Sequence, residues 1–138
     1  MKTELQLQLI DRFKWYAPAR HQPWWRKLSK NARANQARWW TFECSDGWFQ
    51  LLWDLSTKID AHLKSHPELK KHFSPTQVKE KFGGLRFYFY GGDEVIDKYV
   101  EEAEELSYTI CELCGKPGKP NKEGWIKTLC PKCRKKAT

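Results

Sequence analysis

Two pairs of cysteines constrain this chain more than any other feature. Cys111-Glu112-Leu113-Cys114 and Cys130-Pro131-Lys132-Cys133 are Cys-x-x-Cys pairs separated by the fifteen residues 115–129, the signature of a four-thiolate zinc site. Two residues between ligands let one tight turn aim both sulfurs at a metal, and the backbone N–H groups of that turn can donate to the thiolates and lower their proton affinity. Gly115 suits a knuckle that needs a left-handed residue. Between the pairs Pro117, Gly118, Pro120 and Gly124 mark turns, while Trp125-Ile126-Lys127-Thr128-Leu129 alternates like a short strand. The expectation is a zinc ribbon or treble-clef finger with Cys111, Cys114, Cys130 and Cys133 as ligands of one structural Zn2+, because four thiolates leave no open coordination position. The competing readings are a disulfide pair and a redox dithiol. The polar start Met-Lys-Thr-Glu-Leu-Gln-Leu-Gln does not read as a secretory signal, and a thioredoxin-type motif needs only one pair. Cys44, the fifth cysteine, reads as a buried free thiol.

A chain of 138 residues with 8 Trp, 7 Phe and 5 Tyr has room for one aromatic-rich core and excludes two full-size domains. The expected organisation is an α+β domain over 1–110, helices packed on a small antiparallel hairpin or sheet with a basic, Trp-rich N-terminal arm, followed by the zinc finger over 111–138. No apolar run approaches the roughly 18 residues of a membrane span, so the expectation is a cytoplasmic protein that does not enter a membrane. The net charge of +8 is uneven: residues 1–40 hold nine basic and two acidic groups, 81–110 three and seven, and 111–138 eight and two. Basic ends around an acidic middle can seat nucleic acid, an anionic nucleotide or an acidic protein, and can equally serve solubility.

Apolar spacing predicts helices over Thr3–Tyr16, over 47–63 on Trp48, Leu52, Leu55, Ile59 and Leu63, and from Asp93 as N-cap through Ile96, Tyr99, Val100, Ala103, Leu106 and Ile110. Ser29 can cap a short helix over 30–38, with 17–38 as a linker or basic arm. Trp39 and Trp40 read as core, whereas Trp24 and Trp25 divide evenly between core and partner contact. Thr76–Tyr90 reads as a hairpin turning at Gly83-Gly84. Phe82 then faces Leu85, Glu80 faces Phe87 and Val78 faces Phe89, with Glu80 anomalous on an apolar face: it needs an arginine partner or a bulge. The other face carries Gln77, Lys79, Lys81, Arg86, Tyr88 and Tyr90, with Lys81 opposite Arg86. Such a like-charge pair costs roughly 0.2–1 kcal/mol unless an anion or carboxylate sits over it. His62 and His66 stand one helical turn apart and read as surface residues, and Asp46 reads as an N-cap. The sequence holds no phosphate loop, dinucleotide fingerprint or nucleophile elbow.

Phe42-Glu43-Cys44-Ser45-Asp46-Gly47-Trp48-Phe49, Val78-Lys79-Glu80-Lys81-Phe82-Gly83-Gly84-Leu85-Arg86-Phe87-Tyr88, Ala103-Glu104 with Ser107, and Cys111-Glu112-Leu113-Cys114-Gly115-Lys116-Pro117-Gly118 with Gly124-Trp125 and Thr128-Leu129-Cys130 together resemble an uncharacterised family of small phage and bacterial proteins. The resemblance covers roughly 42–133. It implies a helix, hairpin, helix and zinc-knuckle layout, and no catalytic residue or substrate. Members of that family often end in a Cys-x-x-His pair where this chain has Cys133, a change of one ligand.

Three classes of function follow. The leading one is a non-enzymatic module that binds nucleic acid or an anionic nucleotide through Lys79, Lys81, Arg86, Tyr88 and Tyr90 with Arg134 and Lys135 beyond the second cysteine pair, since tyrosines can stack bases while cations hold phosphate. The second is a protein-binding regulator or anti-defence inhibitor of a host machine, and the third is an enzyme. An ordinary outer sheet face, or one covered by the N-terminal arm, is the alternative account of the same hairpin surface.

Overall fold

A computed structural model describes residues 1–32 and 41–137; Arg38, Trp39, Trp40 and the end of the expected 30–38 helix lie outside the described residues. The architecture is α+β. Helix α1 (Thr3–Arg12) leads into β1 (Phe42–Glu43), α2 (Phe49–Lys64), α3 (Pro67–His72), the strands β2 (Ser74–Lys81) and β3 (Gly84–Tyr90), and α4 (Glu94–Ser107). The cysteine region adds β4 (Lys119–Pro120), β5 (Thr128–Leu129) and α5 (Pro131–Ala137). No helix among the described residues is long and apolar enough to cross a membrane.

Helix α2 follows its sequence period: Leu52, Leu55, Ile59 and Leu63 are buried along one stripe, and Trp48 is buried in the turn that precedes it. Helix α1 stops at Arg12, short of Tyr16. A 3-10 turn over Lys14–Tyr16 swings Trp15 and Tyr16 onto α2, where the Trp15 indole N–H donates to Asp60 Oδ1 at 3.0 Å and Tyr16 Oη meets Ser56 Oγ at 2.6 Å. These buried polar groups are thereby satisfied, which is what makes their burial affordable. Tyr16 packs edge-on against Phe42 and Phe87, so the helices and the inner face of the sheet share one core. In the arm, Trp25 is buried and Trp24 exposed, and Arg20 ties the segment to α1 through Asp11 at 2.9 Å. Ser29 accepts from the Ala32 N–H at 3.2 Å, as a cap should.

The sheet is three-stranded in the order β1-β2-β3, and it is mixed rather than wholly antiparallel, since β1 pairs parallel to β2. The hairpin turn differs from the expected one. Lys81 pairs with Gly84, and Phe82 (φ 53°) and Gly83 (φ 81°) are the two central residues with positive φ that a primed turn demands. A left-handed phenylalanine costs roughly 1–2 kcal/mol, and two tertiary contacts offset it. A Cβ on Gly84 would lie 2.3 Å from the Tyr108 hydroxyl, so Gly84 is used to admit that ring and not to turn the chain. Gly83 is seized by the cysteine region, as described below. The two-residue shift puts Phe82 in the turn, keeps the paired side chains on their expected faces and moves their partners: Val78 faces Phe87, Glu80 faces Leu85, and Lys79 rather than Lys81 faces Arg86. The bulge exists but lies between Pro75 and Gln77, away from Glu80.

Asp93 caps α4 as expected, accepting from the Ile96 N–H at 3.0 Å. The helix ends at Ser107, and Ile110 instead pairs with Pro117. Asp46 does not cap; its carboxylate accepts from the Lys2 backbone N–H at 2.7 Å. Between α2 and β2 lies the short helix α3, which opens on Pro67.

Candidate metal centre and hairpin face

Cys111 follows α4, and its knuckle is closed by two backbone bonds: Cys111 N–H to Lys116 O at 2.7 Å and Gly115 N–H to Cys111 O at 2.9 Å. Gly115 takes the left-handed conformation, φ 79°. Cys130 leaves β5, and Cys133 lies in the first turn of α5, where its N–H donates to Cys130 Sγ at 3.4 Å. A knuckle, a two-stranded hairpin and a helix carrying the last cysteine follow the treble-clef order rather than that of a ribbon. Only Thr128 and Leu129 of the expected 125–129 strand pair in this hairpin.

The four sulfurs of Cys111, Cys114, Cys130 and Cys133 lie within 4.8 Å of one another. A tetrahedral ion with metal–sulfur bonds of about 2.3 Å has sulfur–sulfur edges of about 3.8 Å, and Cys114 Sγ stands 3.7 Å from Cys130 Sγ. The cluster can hold a metal ion. Within the cluster the Cys133 N–H and neighbouring thiols bring Cys130 down to about 6, while the contact with Cys130 pushes the Cys133 thiol up to about 12. Burial works to raise Cys111, yet the backbone N–H groups around it outweigh that and lower it below the ordinary thiol range. Cys44 is buried, and burial pushes it up to about 12, the state of an inert packed thiol.

The finger is bolted to the body through Glu80, the residue that was anomalous in sequence. Lys127 Nζ bonds Glu80 Oε1 and lies 3.4 Å from Glu112 Oε2, so the partner is a lysine and not an arginine. The other Glu80 oxygen accepts from the Gly83 N–H at 2.8 Å, and the Thr128 hydroxyl donates to Gly83 O at 2.6 Å. Burial opposes the charge on Lys127, but Glu80 and Glu112 hold it above its ordinary value. On the far side Glu112 accepts from the Ser45 N–H at 3.1 Å, and its carbonyl accepts from the Gly47 N–H at 2.7 Å. A Cβ on Gly47 would lie 2.1 Å from the Cys111 carbonyl oxygen, so only glycine permits this approach.

Lys79, Arg86 and Tyr88 occupy the outer hairpin face in the order the sequence implies, with Tyr88 beside Gln77 and Tyr90 beside Ser74. Tyr88 is 42% and Tyr90 74% exposed. The Arg86 guanidinium donates to Glu104 at 2.8 Å and to the Tyr108 hydroxyl at 3.3 Å, so an internal carboxylate matches its charge. Burial opposes that charge, and Tyr108 and Glu104 more than compensate. Glu104 on Arg86 relieves the like-charge Lys79–Arg86 pair without an outside anion, and Glu43, in register beside Lys79, accepts from the Gln77 side chain at 3.3 Å. Arg134 also has internal partners. It bonds the carbonyl of Lys119 and lies 3.4 Å from those of Lys127 and Leu129, clamping the finger internally, whereas Lys135 is exposed on α5.

Sequence reasoning missed two exposed rings. Phe82, assigned to the inner face, is 69% exposed at the turn, and Trp125 is 83% exposed. No local signal marks Phe82, because Glu80 lies on the same face in either register and its partner Lys127 is remote in sequence. His62 and His66 form no metal site: the four cysteines are the only such cluster among the described residues. His62 Nε2 lies 2.6 Å from Asp93 Oδ2, and its ring stacks on His66 at 4.2 Å. Comparison of the chain with protein-family models, curated proteins and solved structures gives no match.

Proposed function

We propose that this chain is a non-enzymatic binding protein whose C-terminal cysteines hold one structural zinc ion and whose outer hairpin face binds single-stranded nucleic acid or a phosphorylated nucleotide. The observation that carries the reading is the pair Tyr88 and Tyr90, exposed on one strand face with Lys79 and Lys81 on the neighbouring strand. Exposed rings beside amines are what base stacking and phosphate contact require. Zinc is the ion favoured by four thiolates at tetrahedral spacing. Four thiolates close its coordination shell, which supports a structural metal and no metal chemistry. The likeness of 42–133 to small phage and bacterial proteins supports an accessory role for a phage or prophage, in the host cytoplasm. Fluorescence polarisation with labelled single-stranded oligonucleotides and with nucleotides tests the reading. Tyr88→Ala should weaken binding by about 1–3 kcal/mol and Arg86→Ala by much less, because Glu104 already neutralises that residue. No binding to any of these ligands below about 0.1 mM removes the reading, that being the upper edge of ordinary non-specific affinity.

A protein-binding regulator is the second reading. An apolar trough of about 570 Å³ between α2 and α4, with Leu51, Leu55, Ala103 and Leu106 in its lining and Asp54 and Glu102 among its polar groups, supports it. Capture from host lysate with and without nuclease separates the two: a partner retained after nuclease favours protein binding, and one lost favours nucleic acid.

A further inference from the structure

Phe82 and Trp125 are large rings that neither the fold nor the metal centre uses. Phe82 occupies a turn position with φ 53°, where asparagine, aspartate or glycine is the ordinary choice, and it leaves 69% of its surface in solvent. Turn chemistry and core packing therefore both fail to explain a phenylalanine there, and a residue kept against its local preference points to a ligand. Trp125 is 83% exposed, yet it does not hang from a loose loop. Asn121 fastens its loop by donating to the Trp125 carbonyl at 3.0 Å and accepting from the Lys127 N–H at 2.7 Å.

The two rings belong to touching segments. A Cβ on Gly83 would lie 3.1 Å from Ile126 Cγ2, so the residue after Phe82 abuts the residue after Trp125. With consecutive Cα atoms about 3.8 Å apart, the two rings spring from backbone positions within about 15 Å of each other. Lys81 holds its amine 5.5 Å from the Phe82 ring centroid, and Lys119 and Lys122 are exposed on the finger side. Apolar rings among amines match a polyanion with stackable faces better than an apolar protein surface.

From this juxtaposition we infer a second stacking site for single-stranded nucleic acid at the junction of hairpin tip and finger, with Phe82 and Trp125 each taking a base and Lys81 a phosphate. The inference rests on the proposed function and extends its ligand from the tyrosine face onto the finger. Because Lys127, Glu80 and Thr128 fix Gly83 against 126–128, the metal finger sets the spacing of the two rings.

The test uses the full zinc-loaded chain and a labelled oligothymidylate of about 12 nucleotides, within the footprint range of single-strand binders. Phe82→Asn and Trp125→Ala are the variants, and asparagine suits the turn so that the fold is kept. Each should weaken binding about 5- to 100-fold with the salt slope unchanged, since a stacking ring neutralises no phosphate. Lys81→Ala should lower both affinity and slope. If Tyr88→Ala weakens binding while Phe82→Asn and Trp125→Ala stay within twofold of the parent, this site is overturned and the tyrosine face stands. If the parent does not bind the oligonucleotide, both fall together.

Discussion

Glu80→Gln removes the negative charge that Lys127 answers and keeps an acceptor for the Gly83 N–H. Taking one partner from a fully buried ion pair costs about 3–5 kcal/mol, whereas an exposed pair is worth about 0–1 kcal/mol. The Glu80 side chain is 10% exposed and that of Lys127 34%, and Lys127 retains Glu112 at 3.4 Å. The loss therefore falls between those limits, at about 1–3 kcal/mol. Glu80→Ala also orphans the turn amide and should cost about 1–2 kcal/mol more. Urea unfolding of the zinc-loaded protein gives these values, and a double-mutant cycle with Lys127→Met isolates the pair. A coupling energy of about 1–2 kcal/mol is expected. If the two substitutions add to within about 0.5 kcal/mol, which is the behaviour of independent sites, the finger is not fastened to the hairpin through this contact.

Cys114→Ser should strip the metal and unfold the segment from Cys111 onward, because a finger this small draws its stability from the ligand bonds; a variant that melts like the parent contradicts a structural metal. X-ray absorption on the purified chain should show about four sulfur neighbours near 2.3 Å, and nitrogen or oxygen neighbours, or no stoichiometric zinc, would overturn the assignment. Asp93→Ala should cost about 0.5–2 kcal/mol through the lost cap of α4. Burial works to raise the Asp93 carboxyl, but His62 and the Ile96 N–H together hold it below the usual carboxylate range, so its contribution is present at neutral pH and fades as pH falls below about 4. A parent–variant gap that is as wide at pH 3 as at pH 7 contradicts that account.

Local features were legible in the sequence and remote partners were not. The cysteine spacing, the stripe of α2 and the Asp93 cap each lie within a few residues of chain, so spacing alone implied them. The hairpin was legible as a hairpin, but its turn was decided elsewhere, by Tyr108 needing Gly84 and by Lys127 and Thr128 holding Glu80 and Gly83. Two-residue β1 carries no periodic signal, so its parallel pairing could not be read. The binding face was half legible. Alternation put Lys79, Arg86 and Tyr88 on one side, yet nothing in sequence joined Arg86 to Glu104 on a different element, or Arg134 to the finger's own carbonyls.

The most direct test is a salt titration of oligonucleotide polarisation on the same metal-loaded protein before and after chelation. The metal-loaded chain should bind single strands with affinity falling log-linearly in salt, at a slope near 0.7 per neutralised phosphate, and chelation should weaken binding by removing the Trp125 contribution while leaving that of the hairpin tyrosines. Absent binding, a salt-independent affinity, or full binding after the metal is gone would contradict this expectation.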